Sequence, residues 1–326
     1  MAEVGKLSLT KITTYKGCSM AYFLKYIAHE NVPTNVRFVF GKSIHYFAKR
    51  FYKINYKSAE SFSNAWKYYW SSNIEGKFLK GQEKVNLEKK EFELKNGFVF
   101  AIGNHVDLGP EPVGVFFGYR KLGEKILKRF YARHIPEKDP NNEKRNVPFG
   151  IEKSFGVKKS EPLEIGGYPI RGVFDRIDKT NKGYIITDYK TDKTSPKPKS
   201  FTLHRNIQFT LYSCAFRKLF GEEEERILYY HLRSGSVLET HRSEKDYDYL
   251  KRLLDEVAYG ISNDNFVPFY CFNCNLCDYM PACEKYSLPY HGGPKIIDLE
   301  GRIKPAKEFK DWDIDVPEWA EFQEAV

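Results

Sequence analysis

Gly172-Val-Phe-Asp-Arg-Ile-Asp178, a short turn, and Gly183-Tyr-Ile-Ile-Thr-Asp-Tyr-Lys-Thr-Asp192 decide how the rest of the chain is understood. Ile170 to Asp178 and Tyr184 to Tyr189 mix β-branched and aromatic side chains with polar ones, as strands do. Lys179-Thr180-Asn181-Lys182-Gly183 between them is turn chemistry, because Asn and Gly tolerate positive φ. Strand side chains alternate, so Asp188 and Lys190 share a face and Tyr189 takes the opposite one. Pairing of the strands brings Asp175 near Asp188. Two carboxylates and an amine converging at a strand end suit a hard divalent cation beside a positioned lysine. A strand end also lies outside the apolar core, so substitutions there are expected to leave the fold intact.

These residues carry a resemblance. Val-Phe-Asp-Arg-Ile-Asp followed by Ile-Thr-Asp-Tyr-Lys-Thr resembles the PD-(D/E)XK nucleases of the RecB type. That group includes the nuclease domains of bacterial recombination machines and CRISPR-associated adaptation nucleases. The resemblance implies an α/β fold with a mixed central sheet flanked by helices. It implies Mg2+ or Mn2+ held by His45, Asp175 and Asp188, with Lys190 orienting or activating water for phosphodiester hydrolysis. Further matches lie outside the two strands. Gly41-x-x-x-His45 opens a helix whose apolar stripe is Ile44, Phe47, Ala48 and Phe51. A lone histidine beside such a stripe is ordinarily structural, but this spacing resembles the family's metal-binding histidine. Phe149-Gly-Ile-Glu-Lys-Ser-Phe155 resembles its first core strand, with Glu152 as the matching glutamate. Gln208 and Tyr212, i and i+4 on a helix spanning Arg205 to Phe220, resemble its motif beside the active site.

The composition is compatible. The chain has 326 residues, 41% hydrophobic and 16% aromatic, enough for a packed core. The net charge is +9 with pI ≈ 9.0, which suits a polyanionic partner, nucleic acid first. No apolar run is long enough for a membrane span. Met-Ala-Glu-Val-Gly-Lys lacks the apolar core of a signal peptide, so a cytoplasmic protein is expected. Disulfides are unusual there, which leaves six cysteines to explain.

Cys271-Phe-Asn-Cys-Asn-Leu-Cys-Asp-Tyr-Met-Pro-Ala-Cys283 packs four cysteines into one segment, the mark of a metal site. Zn2+ bound by all four is one possibility. The resemblance offers another: Cys274, Cys277 and Cys283 with the remote Cys18, in its Tyr15-x-x-Cys18 setting, hold a [4Fe-4S] cluster. Cys271 is then extra, and the cluster staples the chain ends together. Cys214 falls on the buried side of its helix and is a small core residue.

The chain divides accordingly. Residues 1–56 hold the first cysteine and the histidine helix. Residues 57–147, without a recognisable motif, form a mainly helical insertion: helices at Ala59 to Trp70 and Gly123 to His134, with a hairpin within Glu88 to His105. Residues 148–287 are the nuclease core and the cysteine segment, and 288–326 a tail. Gly118 to Gly123 has phosphate-loop glycine spacing, but Glu124 stands where Lys is needed, so no motor is expected. The expected activity is a metal-dependent deoxyribonuclease, an exonuclease on single-stranded DNA or DNA ends; a subunit working only with a separate helicase or integrase is an alternative. Another alternative is a non-catalytic nucleic-acid-binding scaffold, against which Asp175, Asp188 and Lys190 argue.

Overall fold

The computed structural model describes residues 4–30, 34–75, 84–86, 91–93, 99–101, 112–134, 148–157, 160, 162–197, 201–269, 274, 277–280 and 282–283. Five strands make the central sheet: β1 (Gly150–Phe155), β2 (Gly172–Thr180), β3 (Gly183–Lys190), β4 (Glu224–His231) and β5 (Ser236–Thr240). Their order is β5-β4-β3-β2-β1. β3 and β4 run parallel and the other neighbours antiparallel, so the sheet is mixed as expected. A parallel pair needs a crossover, and Ile207–Phe220 is that helix. The β2–β3 turn is tighter than the sequence suggests. Lys179 and Thr180 stay in the strand, and Thr180 pairs directly with Gly183. Gly183 takes φ 142, open to glycine at little cost.

The helices are α1 (Leu9–Gly17), α2 (Ser19–Tyr26), α3 (Val36–Lys53), α4 (Ala59–Trp70), α5 (Pro112–His134), α6 (Ile207–Phe220) and α7 (Glu244–Ser262). Each face of the sheet buries its own apolar cluster. On one, Ile177 and Ile186 meet Phe209 and Phe216 of α6 and Leu250 and Leu254 of α7. On the other, Tyr189 and Tyr230 meet Phe47 and Phe51 of α3, Trp66 of α4 and Phe130 of α5. The alternation of β3 thus divides its side chains between two cores.

Among its described residues, the segment 57–147 holds two long helices, α4 and α5, and short strands. These strands are Lys84–Asn86, Glu91–Glu93 and Val99–Ala101. The last two form an antiparallel hairpin within the expected stretch, and Val99–Ala101 also pairs with Thr34–Asn35. α5 begins well before Gly123. A Cβ on Gly123 would lie 2.1 Å from the Trp66 ring, so this glycine serves close packing of α4 on α5. The N-terminal segment meets the chain just before β2 through an isolated Leu7–Ile170 bridge, and Tyr15 Oη donates to Asn265 O at 2.9 Å. No helix among the described residues is long and apolar enough to cross a membrane. Cys271, the connection Pro136 to Asn146 and the tail 288–326 lie outside the described residues.

Candidate active site

The site forms where the strand ladder opens. The formal rungs between β2 and β3 end at Arg176–Thr187, one short of Asp175 and Asp188. There the backbone N–H of Tyr189 donates to Asp175 Oδ2 at 2.8 Å. On β1 the residue level with Asp175 is Glu152, between the rungs Ile151–Arg176 and Lys153–Phe174. Glu152 has φ 48, a left-handed conformation that is strained for a side-chain-bearing residue. The side-chain alternation slips at the same level, since Phe174 and Ile177, an odd number apart, reach the same core. Three neighbouring strands therefore present Glu152, Asp175 and Asp188 where regular pairing lapses.

α3 adds His45. Its Nδ1 lies 3.3 Å from Asp175 Oδ1 and 3.7 Å from Glu152 Oε1. One ligand atom from each of His45, Glu152 and Asp175 falls within 4.8 Å of the others, and this is the one such group of three among the described residues. A nitrogen and two carboxylate oxygens are suitable donors for a divalent ion. Burial disfavours charge on His45, but the carboxylates of Asp175 and Glu152 outweigh it and push its pKa up to about 10. Asp175 is held below the usual carboxylate range: burial opposes its charge, and His45 and the Tyr189 N–H more than compensate.

Asp188 stands outside that triad. Its Oδ1 accepts from Gln208 Nε2 at 2.7 Å, and its Oδ2 lies 2.8 Å from Lys190 Nζ. Lys190 donates to Gln208 Oε1 at 2.8 Å, and Gln208 Nε2 also donates to Tyr212 Oη at 3.0 Å. The ammonium and the carboxylate fix which way the Gln208 amide points, since it must accept from one and donate to the other. Burial lifts Asp188 to a pKa of about 6, with Lys190 opposing and Asp175 adding to the rise. Burial also disfavours the Lys190 charge, yet Asp188 keeps its pKa above the ordinary lysine value.

All seven residues singled out for this chemistry converge: His45, Glu152, Asp175, Asp188, Lys190, Gln208 and Tyr212. Their grouping in space sets Glu152 beside His45 and Asp175, and Asp188 beside Lys190. The site is more enclosed than expected of a strand end, with Asp188 only 1% exposed. Gly41 has a steric reason one turn before His45: a Cβ there would come to 3.2 Å from Thr191 Oγ1.

Cys18, Cys274, Cys277 and Cys283 line a second feature, a mostly apolar pocket of about 270 Å³ between the α1–α2 junction and Pro268, Phe269, Tyr279 and Met280. Cys214 lies half-buried against the α6 core, away from this pocket.

A model of the PD-(D/E)XK nuclease superfamily matches residues 6–284. The chain belongs to this superfamily. The match spans the PD-(D/E)XK sheet, the histidine helix and the cysteine segment. An ATP-dependent helicase/nuclease subunit from Clostridium perfringens (strain 13 / Type A) is 31% identical over 114 residues, which is 33% of this chain and 8% of that protein. The chain thus spans a small fraction of that relative's length. The solved structure of SSO0001 aligns with 41% of this chain and 59% of its own at 17% identity, with a TM-score of 0.27, too slight a likeness to carry a conclusion.

Proposed function

We propose that this PD-(D/E)XK protein is a metal-dependent deoxyribonuclease, an exonuclease acting on single-stranded DNA or DNA ends. The observation that carries it is the Lys190 ammonium held between Asp188 Oδ2 and Gln208 Oε1, each at 2.8 Å, beside the His45–Glu152–Asp175 triad. A bound Mg2+ or Mn2+ supplies charge neutralisation at the phosphate and a lower pKa for attacking water. His45, Glu152 and Asp175 would hold it, with Asp188 adjoining. Lys190 orients the attacking water or neutralises charge developing on the phosphate. Gln208 keeps Lys190 and Asp188 in register, and Tyr212 fixes Gln208. The basic charge and exposed rings suit an unpaired strand, whose bases stack while Lys and Arg follow phosphates.

The donor chemistry of the cysteine pocket supports a [4Fe-4S] cluster on Cys18, Cys274, Cys277 and Cys283. Zinc ligands at ~2.3 Å from one ion stand within about 4 Å of one another, yet no three of these thiols gather within 4.8 Å. The four cysteines line one pocket, and a cluster there would staple the two chain ends. Similarity to a helicase/nuclease subunit supports work with a helicase, in recombination, repair, CRISPR adaptation or phage DNA metabolism. The test is cleavage of end-labelled linear and circular single-stranded DNA by anaerobically purified protein with Mn2+. Cleavage of linear strands from an end supports the reading. Absence of metal-dependent cleavage of either substrate overturns it.

A further inference from the structure

Three successive carbonyls at the end of the lysine strand are each met by a donor from one short stretch, His231 to Arg233, where β4 ends. Lys190 O accepts from the Leu232 N–H at 2.8 Å, and Thr191 O from Arg233 Nε at 2.6 Å. Asp192 O faces His231 Nε2 at 2.8 Å. A carbonyl can only accept, so Nε2 carries the hydrogen. The other ring nitrogen, Nδ1, is then left to accept from Ser234 Oγ at 2.7 Å. The path of the chain after Lys190 is therefore fixed residue by residue.

The turn bearing Arg233 is itself held from α5. Arg129 Nη1 donates to Arg233 O, and Arg133 Nη1 donates to Gly235 O at 2.7 Å. Gly235 has φ 79, and a Cβ there would lie 2.8 Å from Arg129 Cδ. Thr191 is also the point where α3 closes on the strand, through Gly41, one turn before His45. Displacing Thr191 would thus disturb the lysine on one side and the histidine helix on the other.

We propose that Arg233 is a positioning residue for Lys190, and that α5 supports the catalytic strand end through Arg129, Arg133 and the turn Arg233–Gly235. This gives a role to a helix in which the sequence shows no motif. It rests on the nuclease reading of the Lys190 site. Misplacing a catalytic group by about 1 Å can lower a rate on the order of 100-fold.

The test compares Arg233→Met, which keeps an unbranched stem near Phe40 but lacks the donor, with Arg233→Lys, which restores a donor. Single-turnover cleavage, DNA affinity in EDTA, the unfolding midpoint and amide hydrogen exchange across residues 190–193 are measured on the full chain. Arg233→Met is expected to cleave at least ~10-fold more slowly, with DNA affinity and midpoint nearly unchanged and exchange at 190–193 accelerated. Arg233→Lys recovers part of both losses, and Arg129→Met shows a weaker effect in the same direction. Wild-type rate and exchange in Arg233→Met overturn the proposal. So does a rate loss accompanied by faster exchange throughout the sheet, which marks general destabilisation. Should the wild type cleave nothing, the nuclease reading falls, and exchange at 190–193 alone then decides whether Arg233 holds the strand end.

Discussion

The backbone N–H of Tyr189 donates to Asp175 Oδ2 at 2.8 Å, while Asp175 Oδ1 faces His45 Nδ1 at 3.3 Å. One carboxylate therefore ties two strands together with one oxygen and faces the metal-type donors with the other. Asp175→Asn can keep the first bond through its amide oxygen and lose the anionic ligand. Asp175→Ala loses both and leaves a buried N–H without its acceptor, a loss of about 1–3 kcal/mol. Both variants are expected to lose metal binding and the ion pair with His45, but Asp175→Ala should unfold clearly earlier than Asp175→Asn in a urea titration. Equal midpoints for the two would contradict the strand-tying role.

Much of this was legible in the sequence because the relevant periodicities are local. Alternation placed Asp188 and Lys190 on one face, and the i, i+4 spacing joined Gln208 to Tyr212. The apolar stripe of α3 brought His45 to the edge of a core. The illegible parts depend on contacts between distant segments. Nothing in Phe149-Gly-Ile-Glu announces that Glu152 adopts a left-handed backbone beside Asp175. Nothing around Arg233 announces that it caps the carbonyl of Thr191, 42 positions earlier. The grouping of Glu152, rather than Asp188, with His45 and Asp175 has the same origin, since alternation gives a face but not which neighbour reaches it first.

Asp188→Ala and Lys190→Ala should each lower cleavage by about 100-fold or more, from loss of electrostatic positioning. Against the expectation for an exposed strand end, Asp188→Ala should also destabilise the fold. It removes the partner of a largely buried ammonium, which costs about 3 kcal/mol or more. Thermal unfolding beside a cleavage assay checks both. Full activity in Asp188→Ala would remove the basis of the active-site assignment.

Without metal, the His45 pKa of about 10 means that the imidazole is protonated at neutral pH. Metal binding through Nδ1 must expel that proton. Apparent metal affinity should therefore rise by about tenfold per pH unit between neutrality and pH ~10, and one proton should be released per ion bound. Calorimetry in buffers of different ionisation enthalpy measures the release. The charged His45 also stabilises the metal-free fold. Its folded pKa is raised, so the contribution is full below the unfolded value of ~6.5 and is lost as pH rises towards ~10. A metal affinity independent of pH across that range would exclude His45 as a ligand.

Glu152 separates strain from function. A left-handed conformation costs a side-chain-bearing residue about 1–2 kcal/mol relative to glycine. Glu152→Gly and Glu152→Ala should lose metal binding equally, while Glu152→Gly should be the more stable by about 1 kcal/mol. Chemical denaturation of the two metal-free variants gives the difference. A less stable glycine variant would mean that the backbone carries no strain there.

The cysteine pocket yields a colour test. Protein made without oxygen should be brown, with broad absorption near ~400 nm from thiolate-ligated iron. Cys18→Ser should bleach it and lower the unfolding temperature, and Cys271→Ser should do neither. A colourless protein with one zinc, unaffected by Cys18→Ser, would replace the cluster with a zinc site.

The bond from Tyr15 Oη to Asn265 O, 250 positions apart, has a consequence for biosynthesis. α1 and α2 leave the ribosome well before the segments near residue 265 on which they pack. At about 5–20 residues per second, these helices wait on the order of 10–50 s for them. Neither is long enough to persist alone in water. During that interval Tyr22 and Leu24, fully packed in the finished protein, are available to chaperones and to neighbouring nascent chains. A pulse of translation stalled before residue 260 should therefore leave the N-terminal helices sensitive to protease, and release of the stall should protect them.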